Sequence, residues 1–183
     1  MPITIQAELI PPDQVRPDLP DGIRMIMLTD AAYKLRTQVH KAAQRELNKL
    51  HRSEYLEEMI SVSNQITHLA ESYDQAARAI GDRIGEYFLR AQALEKEGQV
   101  IEAIECYEKI LALHHYPYLH AERLRILYTK LGRYEDALRV CRSYLKTLSL
   151  LKKVWPKHPN LQQKEKWQAW VEKLTKKLQA NHA

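Results

Sequence analysis

The chain has 183 residues, 45% of them hydrophobic and 28% charged, with a formal net charge of +5. That length fits one domain, or one plus a tail, and the balance favours a buried core over wholesale disorder. Only five glycines occur, which disfavours a phosphate loop or a β-rich fold, whereas Ala, Leu, Glu, Lys, Arg and Gln are plentiful and favour helix.

No basic region followed by an apolar run opens the sequence, so no secretory leader is expected. No stretch approaches the ~20 apolar residues of a membrane span. A soluble, cytoplasmic protein is the expectation. The charge is unevenly placed. Residues 151–183 carry eight lysines against Glu165 and Glu172, a net +6, so the remainder sums to −1.

In chain order, residues 1–28 hold Pro2, Pro11, Pro12, Pro17 and Pro20, five of the eight prolines. Proline fixes φ and removes a donor, which predicts an extended arm. Ile3, Ile5, Leu9 and Ile10 are its candidate anchors. A helical region is predicted over 29–81. Thr29 or Asp30 caps its start, and Leu35, Val39, Ala43, Leu47 and Leu50 form an apolar stripe. Ser53 is a second candidate cap. The stripe after it is Leu56, Met59, Ile60, Ile66, Leu69, Tyr73, Ala77 and Ile80, on one long helix or the second of two. Gly81 suits a helix end and Asp82 the next cap.

A third helix is predicted over about 83–97, ended by Gly98, and a fourth over 100–113, with Tyr116-Pro117 as the break. A fifth covers 118–131, ended by Gly132. A sixth runs from Tyr134 to about Leu150, and Pro156 and Pro159 stop it. A seventh spans about 161–178.

Within this span Glu97-Gly98-Gln99-Val100-Ile101-Glu102-Ala103-Ile104 is echoed by Leu131-Gly132-Arg133-Tyr134-Glu135-Asp136-Ala137-Leu138, 34 residues later. The period, the glycine turn and the small residue five positions on resemble the tetratricopeptide repeat. Tyr87, Ala91 and Leu94 match the family's first helix, and Ala103, Tyr107 and Ile110 its second. In the next repeat Leu124 and Tyr128, then Ala137, Cys141 and Tyr144, take the corresponding places. Arg125 departs from the pattern by standing where the family has a small residue, and Ala121 by standing where it has an aromatic one. The family's proline is displaced to Pro117 in the first repeat and absent from the second. An alanine at a crossing lets two helix axes approach; a larger residue at Ala103 or Ala137 would overpack by about 1–3 kcal/mol. One period earlier, Asn64, Leu69 and Tyr73 fall at the key places, and only Tyr73 fits. The resemblance therefore covers two repeats, at about 84–117 and 118–150.

It implies an all-α fold of stacked helical hairpins, an α-α superhelix. Two repeats are fewer than the ~3 that normally close a core, so N-terminal helices and a C-terminal capping helix are expected to flank them. The expected organisation is an arm over 1–28, helices over 29–81, repeats over 82–150 and a basic region over 151–183.

The resemblance also implies a concave binding face. Phe88, Gln92, Glu95 and Lys96 line it from the third helix, and Glu122, Ile126, Thr129 and Lys130, with Arg123 beside them, from the fifth. This is a mixed groove for an extended peptide or a partner helix, unless the arm or the N-terminal helices fill it. Phe88 and Gln92 depart from the lysine and asparagine clamp with which some members hold a C-terminal carboxylate.

The last helix carries Trp167, Trp170, Val171, Leu174 and Leu178 on one face. Lys166, Lys173 and Lys177 form a separate stripe, with Lys176 beside it. The two readings are a capping helix with solvated lysines and a basic surface for nucleic acid, acidic protein or anionic lipid. His114, His115 and His120 cluster near Pro117 without carboxylate or cysteine at ligand spacing, so no metal is expected. Cys106 and Cys141 read as buried, reduced thiols. No nucleophile, phosphate loop or oxyanion element appears.

The expectation is thus a non-catalytic adaptor for a protein or peptide, without cofactor. The alternatives are a nucleic-acid-associated or regulatory protein acting through its lysine-rich end, and a self-assembling structural protein whose helices over 29–81 pair between chains.

Overall fold

The computed structural model describes residues 10–47 and 56–181. They are all-helical, without strands. The helices are α1 (Asp21–Leu47), α2 (Leu56–Lys96), α3 (Val100–Ala112), α4 (Leu119–Lys130), α5 (Tyr134–Val154) and α6 (Lys164–Asn181). Short 3-10 turns occupy Pro12–Gln14 and Pro159–Gln163. Among the described residues no helix is long and apolar enough to cross a membrane.

Two boundaries differ from the expectation. The extended arm does not reach residue 28, because α1 begins at Asp21, directly after Pro20. Proline is compatible with the entry to a helix, where its missing N–H is not needed. The break expected at Gly81–Asp82 does not occur either, and α2 runs through both residues. A glycine inside a helix costs only about 1 kcal/mol relative to alanine, which packing overrides.

The chain divides into two compact units. The first comprises the described residues of 10–19 and 24–79. Leu28, Ala32 and Leu35 are buried on α1, and Ile66, Ala70, Tyr73 and Ala77 on α2. Their spacing of three, four and seven residues places each set on one helical stripe. Arg36 pairs with Asp74 between the two helices. The Tyr73 hydroxyl donates to the Ile10 carbonyl, and the Arg24 guanidinium donates to the carbonyls of Val15 and Pro12. These bonds hold a segment that has little apolar surface of its own. Ile3, Ile5, Leu9, Leu50 and Ser53, and the side chains of Ala43, Leu47, Leu56, Met59 and Ile60, lie outside the described residues.

The second unit comprises 20–23 and the described residues from Ile80 onward. Here α3 packs on α4, α4 on α5 and α5 on α6, while α3 also touches α5. The sequence echo is reproduced bond for bond. Gly98 has φ +77° and Gly132 φ +71°, the left-handed conformation that glycine adopts without a Cβ clash. Gln99 N–H reaches back to the Leu94 carbonyl at 2.9 Å, and Arg133 N–H to that of Tyr128 at 2.9 Å. Gly98 N–H bonds the Glu95 carbonyl at 3.2 Å, as Gly132 N–H bonds that of Thr129 at 3.2 Å. This pair of bonds is the Schellman closure, which satisfies carbonyls that a helix end leaves orphaned. The next helix starts two residues after each glycine, with Ala103 and Ala137 fully buried in it.

The core of this unit follows the expected apolar places. Ala91, Ala103, Tyr107, Ile110, Leu124, Ala137, Cys141 and Tyr144 have no exposed surface, and Trp167 from α6 has none either. Burying one Leu- or Phe-sized side chain contributes about 1.5–3 kcal/mol. Trp167 lies 4.6 Å, ring centre to ring centre, from Tyr144, so α6 supplies the aromatic surface that covers α5. The start of α1 also belongs to this unit. Gly22 N–H donates to the Leu113 carbonyl at 2.9 Å, and Asp21 pairs with Arg83.

Candidate interaction surface

Four of the residues expected on the binding face, Phe88, Glu95, Arg123 and Glu122, fall in two networks. The first joins α2, α3 and α4. Phe88 on α2 meets the Tyr107 ring of α3 edge to face, with centres 5.9 Å apart. The Tyr107 hydroxyl donates to Glu95 Oε1 at 2.8 Å. The Arg123 guanidinium from α4 engages both oxygens of the same carboxylate. Phe88, Glu95 and Arg123 are therefore brought together by Tyr107.

Burial opposes the charge on Glu95, but the hydrogen bonds from Arg123 and Tyr107 and the charges of Arg123 and Lys130 outweigh it. They hold the carboxyl below the ordinary glutamate range. Burial, and then the bond to Glu95, push the Tyr107 hydroxyl upward. A fork of two donors on one carboxylate fixes orientation as well as charge. The network thus sets the relative position of α2 and α4, while Gln92, Lys96 and Lys130 stay exposed and Ile126 half-buried beside it. The Thr129 hydroxyl is turned inward and donates to the Arg125 carbonyl at 2.7 Å.

Glu122 belongs to the second network, between α4 and α6. Lys166 Nζ donates to both its oxygens at 3.1 Å, and Arg125 lies 3.7 Å away. Arg125 is 7% exposed, its Nε has no hydrogen-bond partner, and its guanidinium centre stands 3.8 Å over the Trp170 ring. The sequence departure at this position has a local explanation. Between α4 and α6 the chain places a buried cation and gives it an aromatic face.

The lysine stripe is not a simple solvated row. Lys166 pairs with Glu122 and lies 5.2 Å from the Tyr118 ring centre. Lys173 stands 4.7 Å over Trp170, and Lys177 4.3 Å over Tyr134. Each ammonium group thus faces an aromatic ring within cation–π range. Lys176 is exposed.

Sequence reasoning missed the polar role of Tyr107, because the aromatic place in the repeat signals only packing. It also missed the network of Glu108, Tyr128 and Arg139. The Tyr128 hydroxyl donates to Glu108 Oε1 at 2.7 Å, and Arg139 from α5 donates to both Glu108 oxygens at 2.6 and 3.1 Å. These partners lie 20 and 31 residues from Glu108, beyond any local pattern. A signal for Arg125 was present, as a large cation in a small residue's place.

The His115 and His120 rings lie 5.9 Å apart, and each has a buried nitrogen without a partner. Burial pushes His115 down to about 4 and His120 to about 3, so both are neutral near pH 7. Among the described residues no group of three or more His, Cys, Asp or Glu side chains is placed to hold a metal ion. Cys106 and Cys141 are free and buried, and burial raises the Cys141 thiol to about 11. No family model matches the chain, and neither does any curated protein or solved structure.

Proposed function

We propose that the chain is a non-catalytic interaction module of tetratricopeptide-like hairpins, which binds a peptide or a partner helix on the face of α2 and α4. The observation that carries this reading is the turn repeated at 34 residues with matching dihedrals and hydrogen bonds. A supporting one is that α4 is tied by ion pairs to α2 on one side and to α6 on the other, as neighbouring first helices of such a stack would be. The face combines an aromatic ring, a fixed carboxylate–guanidinium pair and exposed polar residues, a mixture suited to a polar peptide with apolar anchors. A nucleic-acid reading of the lysine-rich end is less favoured, because Lys166 is neutralised by Glu122 and Lys173 and Lys177 rest on aromatic rings.

The test is affinity capture from host lysate with and without nuclease, comparing wild type with Gln92→Ala, Lys130→Ala and Phe88→Ala. The first two remove exposed groups and leave the core alone. Phe88→Ala also removes a ring from Tyr107, so its thermal stability is read alongside. The expected result is a protein retained after nuclease treatment and depleted at least tenfold by the variants. Equal recovery by all four proteins would remove this face from consideration, and recovery abolished by nuclease would move the function to the lysine-rich end.

A further inference from the structure

A cleft of about 510 Å³ lies along α5 and the turn after α3, away from the Glu95–Arg123 network. Its volume is within the range of small-molecule sites. Its two ends differ. At one end Glu135 lines the cleft, and the charge of Arg139 is answered by Glu108 and Asp136. At the other end are Arg142, Ser143, Lys146 and His114. Arg142 and Lys146 stand one helical turn apart and exposed, with no acidic partner among the described residues. Like charges at that spacing repel, and nothing among the described residues compensates them.

His114 gives an independent indication. It has φ +52°, a left-handed conformation that disfavours side chains with a Cβ. It follows the last turn of α3 as Gly98 follows α2 and Gly132 follows α4, and those two positions hold glycine. A glycine would relieve the backbone here as well, yet the chain keeps an imidazole and pins it, with Nδ1 2.8 Å from Thr147 Oγ1. The other ring nitrogen has no hydrogen-bond partner among the described residues. Strain that the surroundings hold in place concentrates at functional positions.

We propose that this cleft binds a phosphomonoester, with the phosphate held by Arg142, Lys146, Ser143 and His114 and the organic body lying toward Leu138 and Glu135. Arginine presents a fork of donors that matches phosphate oxygens, and lysine adds a point charge. The serine hydroxyl supplies a neutral donor at the same end, and the imidazole a charge-assisted one once the phosphate draws a proton onto Nε2. The Thr147 hydroxyl donates to the Ser143 carbonyl at 3.2 Å, so His114 Nδ1–H donates to Thr147 Oγ1 and Nε2 is the nitrogen left to take up a proton from solvent when the phosphate binds. Burial, and then the charge of Lys146, hold the His114 imidazole below its ordinary pKa in the absence of a ligand. Since one phosphate fills only part of the cleft, the ligand carries an organic group. That group is either a free small molecule or a phosphorylated side chain of a partner.

The full chain would be titrated with a phosphoserine peptide, its unphosphorylated form, glycerol phosphate and sulfate, with amide NMR shifts locating the site. We expect saturable shifts at Ser143 and Lys146 with the phosphorylated ligands, and binding at least tenfold weaker for the unphosphorylated peptide. Arg142→Gln and Lys146→Gln should each weaken binding about tenfold. His114→Gly should weaken it too while melting at the same or a higher temperature, a combination that loss of structure would not produce. Lys173→Gln, on α6, should change nothing. Tighter binding of the peptide than of glycerol phosphate would assign the phosphate to a partner protein, and the reverse order to a small molecule. Sulfate as strong as the phosphomonoesters, shifts spread over α6, or a loss in Lys173→Gln equal to that in Arg142→Gln would each overturn the proposal.

Discussion

Gly22 provides a sharp test of the packing in the C-terminal unit, because the obstacle it avoids is backbone. A Cβ built there would lie 2.7 Å from the His115 Cα and N and 2.7 Å from the Leu113 carbonyl oxygen. No rotamer change relieves such contacts. Either the turn after α3 or the start of α1 must move, and the Gly22–Leu113 hydrogen bond at 2.9 Å stretches with it. Overpacking of this kind costs about 1–3 kcal/mol, and the bond contributes about 1 kcal/mol. Against these, alanine gains about 0.5–1 kcal/mol over glycine within a helix. Gly22→Ala is therefore expected to lose about 1–3 kcal/mol net. Gly85 supplies the control. It lies inside α2, and a Cβ added to it would meet nothing within 4 Å. Only the helical gain of about 0.5–1 kcal/mol applies to Gly85→Ala. The assay is urea unfolding followed by tryptophan fluorescence. Trp155, Trp167 and Trp170 all lie in the same unit as both glycines, so the signal reports on the part being perturbed. With a slope of about 1–3 kcal/mol per molar urea, the two variants should differ in midpoint by on the order of 1 M or more. A Gly22→Ala midpoint at or above that of wild type would refute the close approach and the reasoning built on it.

Two further outcomes follow from buried charge. Glu95 has a lowered folded-state pKa, so its contribution is fully present above the unfolded glutamate range of about 4.3 and is lost as pH falls through the folded value. The stability gap between wild type and Glu95→Gln should thus be constant near neutrality and close below about pH 4; a gap that widens in acid would reverse the assigned sign. Arg125 is buried with an unpartnered Nε, and Glu122 retains Lys166 without it. Arg125→Met should accordingly unfold within about 1 kcal/mol of wild type or be more stable, and a loss of about 3 kcal/mol would show that the cation over Trp170 is itself a principal source of cohesion.

The all-helical class and the turns at Gly98 and Gly132 were legible in the residues, because both depend on local physics. An apolar stripe at helical spacing, and a glycine where φ must be positive, act within a few residues of themselves. The buried alanines at 91, 103 and 137 were legible for the same reason, since a small residue in a repeating apolar stripe marks a close crossing. The start of α1 at Asp21 and the continuity of α2 through Gly81 were not. There the local preferences of proline, glycine and aspartate are worth about 1 kcal/mol each, and packing along the helix outweighs them. The candidate face was legible only as a set of positions. Its division into a Glu95–Tyr107–Arg123 network and a Glu122–Lys166 contact was decided in three dimensions, because each bond joins residues 12 to 44 apart. The stacking of lysines on aromatic rings was decided there as well. Sequence determines which side chains a helix presents; only tertiary structure determines which neighbour's charge or ring meets them, since those forces act across a few ångströms of space and not along the chain.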